Sequence, residues 1–209
     1  MAVAPPLPGS EALGELLMPA ARYHRLRRLL QVQLSPPRMA HSLGVMATCR
    51  SMAPTMGVDP SAAELAGLVH DVAKELPASD LERLARAAGI TYSHPCERHS
   101  TYLHATVGAQ LAETWLNVGE PDVLRAIAAH SHGGPDPLLD APLVWCLRLA
   151  DLTELHRRYG AADAIRWTWA HRGWRPAAYV ACSNLVRHLR QEGIPCHPNV
   201  LRAVKELEP

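Results

Sequence analysis

The sequence has no phenylalanine, and lysine occurs only at Lys74 and Lys205. Basic charge rests almost wholly on arginine; with abundant Ala, Arg and Pro, this bias reflects genome base composition rather than function. The formal net charge is +1, so no excess of one sign marks a nucleic-acid or membrane surface. Cys-x-x-Cys is absent. The five cysteines, Cys49, Cys96, Cys146, Cys182 and Cys196, are scattered and odd in number, which excludes a disulfide framework and a zinc ribbon. No apolar run reaches the roughly eighteen residues of a membrane span. The opening stretch "MAVAPPLPGSEALGELL" has no basic segment of the signal-peptide kind. These absences predict a reducing, cytoplasmic setting. What is present is a hydrophobic content of 48%, enough to exclude global disorder, and twelve histidines among 209 residues.

Helical periodicity runs through the chain and strand alternation does not appear, which predicts an all-α domain. We expect a mobile Pro-rich lead over 1–19, a main domain over 20–160 and a C-terminal helical extension over 161–209, packed on the same domain. The first helices are expected over 20–34 and 37–53. Asp59 and Pro60 read as N-cap and first turn of a helix that runs on through His70 and Asp71. Ser79 and Glu82 form a capping-box pattern for a short helix closed by Gly89. Residues 90–99 read as loop. Further helices are expected over 101–117, 121–131, 142–159, 161–172, 175–192 and 198–208, with Gly160 and Gly193 as C-caps.

The stretch "LAGLVHDVAKEL" (65–76) raises the chemical question. Leu65, Leu68, Val69, Val72 and Leu76 make a core stripe, while Gly67, His70, Asp71 and Lys74 share a second one, with Gly67 leaving space beside the polar pair. Taken alone, that edge is as compatible with a solvated face. His104, His130 and His41 each fall on the apolar face of another helix. A single such histidine is most often a hydrogen-bonded core residue. Asp151, in the apolar stripe of Val144, Leu147 and Leu155, is harder to explain, because a buried carboxylate is costly unless paired or metal-bound. Four His and two Asp on five helices point to one metal site, of the kind that suits Fe, Mn, Zn or Ni. Adjacent residues of an ideal helix cannot both reach one ion without strain, and a bridging Asp71 between two ions removes that difficulty.

The order His41, His70-Asp71, Asp151 resembles the HD-domain metal phosphohydrolases. The blocks "RMAHSLGV" (38–45), "AGLVHDVAKEL" (66–76), "LHATVGAQLA" (103–112), "AIAAHSHG" (126–133) and "LADLTELHR" (149–157) are similar, in order, to the YqeK-type family of symmetrical diadenosine-tetraphosphate hydrolases. This resemblance implies an HD-domain helical bundle with additional C-terminal helices. It also implies two metal ions, iron by family, and a nucleotide substrate split at its central bridge by water lying between the metals. His41, His70, Asp71 and Asp151 would hold one ion. His104 and His130 would complete the second, with Asp71 bridging and acting in catalysis beside Lys74. Lys74, Arg38, His132, Gly133 and Arg157 would contact phosphate. A homodimer is part of the same expectation. The chain has His132 where the family tends to carry a small hydroxyl residue. It has Leu152 and Leu155 where an aromatic and a proline are usual.

Two rival functions share the fold: hydrolysis of another nucleotide, and a regulatory module that binds metal or nucleotide without turnover. The full ligand set argues against the second. His94-x-Cys96-x-x-His99 offers a three-ligand pattern, with plain loop the more frequent reading. Trp167, Trp169 and Trp174 read as packing for the last helices. Arginines 22–28 read as the solvated side of an amphipathic helix, so nucleic acid is not expected as a partner.

Overall fold

The computed structural model of the protein describes residues 17–132 and 141–209. Among the described residues the structure holds ten α-helices and no strand, in agreement with the all-α reading. The helices are α1 (Ala20–Gln33), α2 (Pro36–Met52), α3 (Pro60–Val69), α4 (Ala78–Ala87) and α5 (Ser100–Thr114), followed by α6 (Pro121–Ala129), α7 (Pro142–Thr153), α8 (Gly160–Arg172), α9 (Trp174–Gln191) and α10 (Pro198–Leu207).

Local chemistry sets most of the starts. The Ser35 hydroxyl accepts from the Arg38 amide at the head of α2, and prolines fill its first turn. The Asp59 carboxylate accepts from the amides of Ser61 and Ala62 and opens α3 behind Pro60. The box expected at Ser79 and Glu82 does not form. Helix α4 starts two residues earlier, behind Pro77, which has no side chain able to cap. A reciprocal box forms instead at His94 and Glu97, where it opens a short 3-10 turn, Pro95–Arg98, inside the expected loop. Gly89 and Gly193 close α4 and α9 in the left-handed region, at φ 64° and 66°. Gly160 is not a C-cap; it is the first residue of α8.

Two helices end six or more residues earlier than their periodicity predicts, both at the site. Helix α3 stops at Val69. From there the amides of Val72, Lys74 and Leu76 donate to the carbonyls of Val69, Asp71 and Ala73, bonds that span three residues rather than four. Helix α7 stops at Thr153, where Glu154 turns extended at ψ 157°. The Glu154 carboxylate folds inward and accepts from the His156 amide at 2.8 Å, so the backbone leaves the helix. Arg166 of α8 holds this exit in place by donating to the carbonyls of Thr153, Glu154 and Arg157 at 2.9, 2.8 and 2.7 Å.

Helix α2 packs on α3 and α7, α6 on α3, α5 and α7, and α9 on α8 and α10. Leu26, Leu30, Met46, Leu68, Ile127 and Trp145 are fully buried between them. Full burial of each such side chain contributes roughly 1.5–3 kcal/mol. Ile165, Trp169, Ala177 and Val200 from the last three helices join the same core. Trp174 lies 6.5 Å from Trp145, ring to ring, whereas Trp167 is exposed and stacks on His171. The arginine-rich face of α1 is partly tied down: Arg22 makes a bidentate pair with Glu120 at 2.6 and 3.0 Å. Met18 is buried, and the amides of Leu17 and Met18 donate to Glu64. The rest of the expected lead, residues 1–16, lies outside the described residues.

Gly67 does not leave open space. A Cβ there would stand 2.7 Å from Met46 Cα on α2, so this glycine lets the backbones of α2 and α3 touch. That approach brings the rings of His41 and His70 to 5.4 Å between centroids.

Candidate metal centre

Six side chains converge where α2, α5, α6 and α7 meet the turn after α3. His41, His70, Asp71, His104 and His130 are buried, and Asp151 is partly so. The early end of α3 resolves the difficulty of adjacent ligands. The helix geometry that would splay His70 and Asp71 ends at Val69, and His70 Nε2 comes to 3.5 Å from Asp71 Oδ2.

Asp71 faces two ways. Its Oδ2 lies 3.7 Å from His41 Nε2 and 3.5 Å from His70 Nε2. Its Oδ1 lies 3.5 Å from His104 Nε2 and 3.7 Å from His130 Nε2. Asp151 Oδ1 joins the first pair, at 3.0 Å from His41 and 3.9 Å from His70. Among the described residues His41, His70 and Asp71 form one cluster of potential ligand atoms, Asp71, His104 and His130 another, and His70, His130 and Asp151 a third that links them.

The other nitrogen of each ring decides what these atoms are. Nδ1–H of His70, His104 and His130 donates to the carbonyls of Gly67, Ser100 and Ile127 at 3.0, 3.0 and 2.6 Å. Nδ1–H of His41 donates to Glu154 Oε1 at 3.1 Å. In neutral rings this leaves Nε2 with its lone pair facing inward on all four. His104 Nε2 and His130 Nε2 are 3.3 Å apart, two acceptors with no proton to share. The buried Nε2 atoms of His41 and His70 have no hydrogen-bond partner, although a carboxylate oxygen is near each. Lone pairs and carboxylates converging at one point, with donors only at the rim from Arg38, Lys74 and Arg157, fit a cation. The donor set of four imidazoles and two carboxylates suits transition metals.

The electrostatics agree. Burial, with Lys74 next in effect, pushes His104 down to about 4. Burial and the neighbouring rings of His104 and His130's other neighbour His70 hold His130 well below its ordinary value. Both are thus neutral, as a metal ligand must be. Burial alone would raise Asp71, but its interactions with His70 and with the Lys74 ammonium outweigh it and hold the carboxyl well down. Burial would likewise lower His41, and the carboxylates of Asp151 and Glu154 outweigh it.

The expected phosphate contacts divide. Arg38 Nη1 donates to Asp71 Oδ2 at 2.9 Å and Arg157 Nη2 to Asp151 Oδ1 at 2.8 Å, so both guanidiniums border the centre. Lys74 Nζ stands 3.3 Å from His104 Nε2. His132 does not join the six; its ring packs on His197 at 4.7 Å between centroids. Burial lowers its pKa to about 4. Gly133 lies outside the described residues. The His94, Cys96 and His99 pattern is not gathered as ligands. His99 Nδ1 accepts from the Thr101 amide as the cap of α5, and His94 Nδ1 lies against Cys96 Sγ. Sequence reasoning gave no role to Glu154 as the partner of His41, or to Gly44, where a Cβ would stand 2.5 Å from Glu154 Oε2. The available signal was spacing: Gly44 lies one turn after His41, and Gly67 one turn before His70.

A family model for the HD domain matches residues 38–164. This chain belongs to the HD domain family. The HD protein is 28% identical over 180 residues to a symmetrical bis(5'-nucleosyl)-tetraphosphatase of Halalkalibacterium halodurans, a match covering 86% of this chain and 94% of the relative. It is 31% identical over 134 residues to the enzyme of the same name from Bacillus subtilis, covering 64% and 70%. Among solved structures it is similar to a predicted HD superfamily hydrolase involved in NAD metabolism from Clostridium acetobutylicum. That match has a TM-score of 0.79 and 29% identity, and covers 88% of this chain and 96% of the other.

Proposed function

We propose that this HD-domain protein is a metal-dependent hydrolase that cleaves dinucleoside tetraphosphates symmetrically, as the names of its relatives in Halalkalibacterium halodurans and Bacillus subtilis describe for those proteins. The observation that carries the reading is the facing of four Nε2 lone pairs and two carboxylates, with Asp71 turned to both histidine pairs. His41, His70, Asp71 and Asp151 would hold one ion. His104, His130 and the other oxygen of Asp71 would hold a second. We take iron as the metal; manganese, zinc and nickel suit the same ligands. When bound, such ions supply Lewis acidity to a phosphoryl oxygen and bring the pKa of water toward neutrality.

The residues do the rest. The water oxygen bonds to one of the two inner phosphorus atoms, the central P–O–P bridge breaks, and the bridging oxygen leaves with the other half. A diadenosine substrate gives two ADP. Arg38, Arg157 and Lys74 ring the centre with positive charge and would offset the nonbridging oxygens as charge develops. Five free cysteines support a reducing, cytoplasmic setting. No helix among the described residues is long and apolar enough to cross a membrane.

The test is anaerobic incubation of iron-loaded protein with diadenosine tetraphosphate, with nucleotides resolved by chromatography. ADP as sole product is expected. AMP with ATP would overturn the position of cleavage. Metal binding without turnover would move the reading to another nucleotide or to a regulatory module.

A further inference from the structure

A cleft of ≈ 430 Å³ runs between the chain after α7 and one face of α9, lined by Leu152, Arg157, Tyr159, Ile165, Leu185 and His188, among others. That volume falls within the roughly 300–1,000 Å³ of small-molecule sites. Its α9 wall extends from Ala181 to Gln191, about 15 Å of helix at 1.5 Å per residue, long enough for a nucleoside with its first phosphate.

The cleft borders the candidate metal centre at Arg157. This residue lines the cleft, and its guanidinium donates to Asp151 Oδ1 at 2.8 Å. Among the described residues no carboxylate lines the cleft, whereas Arg157, Arg187 and His188 do, so its charge is complementary to an anion. Leu152, Ile165 and Leu185 give it an apolar side. Tyr159 adds an aromatic ring that is 39% exposed. The Tyr159 hydroxyl donates to the Leu152 carbonyl at 3.2 Å, which fixes the ring before any ligand arrives. A ring left in solvent, an apolar wall and a cationic path to the ligand cluster make a base-and-phosphate site. The larger hollow lined by Glu82, Arg86, Tyr92 and Arg98 has no residue of the metal centre.

We infer that this cleft takes one nucleoside of a nucleoside polyphosphate, its base stacked on Tyr159 and its phosphates led past Arg157 to the metal centre. This rests on the hydrolase reading above, since a substrate cut at a central bridge must carry a nucleoside outward from the metals. Leu152 and Tyr159 would then be specificity-determining residues, selecting a flat aromatic group over a bare polyphosphate.

The experiment is calorimetric titration of manganese-loaded protein with ADP and, separately, with inorganic pyrophosphate. It compares wild type with Tyr159→Ala and with His188→Trp, which narrows the cleft from the exposed face of α9. Circular dichroism verifies the fold of each variant. Both variants are expected to bind ADP about tenfold more weakly or worse, the scale of one lost base–aromatic stack, and pyrophosphate as wild type does. ADP binding unchanged in both variants would overturn the inference. So would an equal loss for pyrophosphate, or a wild type that binds ADP no better than pyrophosphate. Turnover of diadenosine tetraphosphate by wild type is scored separately: its absence would sink the hydrolase reading while the titrations still decide the cleft.

Discussion

The molecule gathers histidines in two places. At the metal centre, His41, His70, His104 and His130 turn Nε2 toward one another and toward Asp71. Beside the start of α5, His94 and His132 lie with rings 5.9 and 4.7 Å from that of His197, next to Glu97 and Tyr102. In the second place two of the three rings have ordinary partners, and the buried Nδ1 of His132 has none among the described residues. His197 Nε2 meets Glu97 Oε1 at 3.0 Å, and its Nδ1 accepts from the Asn199 amide as the cap of α10. His94 Nδ1 accepts from the Cys96 amide. The contrast separates a metal site from a polar packing cluster. Density of histidine does not decide it. What decides is convergence: ligand atoms of the first cluster lie in threes within 4.8 Å of one another, and among the described residues the second cluster forms no such group.

The sharpest way to break the comparison is to remove the shared oxygen. Asp71→Asn keeps the shape but replaces one carboxylate oxygen by an amide. Metal content by elemental analysis should fall to background, with the helical spectrum retained. Turnover should fall by more than the ~10²–10³ lost with one preorganised electrostatic group, because one ligand cluster loses its oxygen and both lose the negative charge they share. Full activity in that variant would sink the two-metal reading.

A smaller effect is expected one bond further out. Glu154 accepts from His41 Nδ1 and from His156, and so sets the ring that points Nε2 inward. Glu154→Gln should weaken metal binding by roughly 10–100-fold, the usual scale for a partner behind a ligand. Unchanged metal affinity would show that His41 is oriented by packing alone.

The unequal legibility of these residues has a physical cause. Four of the six candidate ligands, His41, His104, His130 and Asp151, stand where helical period asks for a hydrophobe, and a polar residue on an apolar face is visible in one dimension. Glu154 was not visible as a partner, because its role depends on α7 ending at Thr153, six residues before the periodicity expected. The turn at His70 and Asp71 escaped for the same reason: apolar spacing continues through Leu76 although the helical bonds do not. The Arg166 clamp on three carbonyls leaves no pattern in sequence at all. Gly67 was seen but read as space, when its role is the contact of two backbones.

That contact gives a third test, of stability as well as function. In Gly67→Ala the new Cβ would meet Met46 Cα at 2.7 Å, backbone against side chain, and α2 must shift from α3. Overpacking of this kind costs about 1–3 kcal/mol. Denaturant unfolding should show the loss, and metal affinity should fall with it, since His41 and His70 ride on the two helices. A stable variant with unchanged affinity would separate the helix contact from the centre.

The mildest change sharpens the other side of the comparison. Glu97 accepts from Ser93 and His197, and its carboxyl sits below the ordinary 4.5: burial would raise it, and the bonds from Ser93 and His197 outweigh burial. The folded chain therefore holds this proton less tightly than the unfolded chain. Glu97 contributes stability that is fully present above pH 4.5 and is lost as pH falls through its folded value. Glu97→Gln should lower stability by about 1 kcal/mol near neutrality, the worth of a modest hydrogen bond. The gap between wild type and variant should close as pH drops below that range. Metal content should not change, because His94, His132 and His197 have no place in the ligand set. A loss of metal in this variant would join the two histidine clusters into one functional unit and undo the distinction drawn between them.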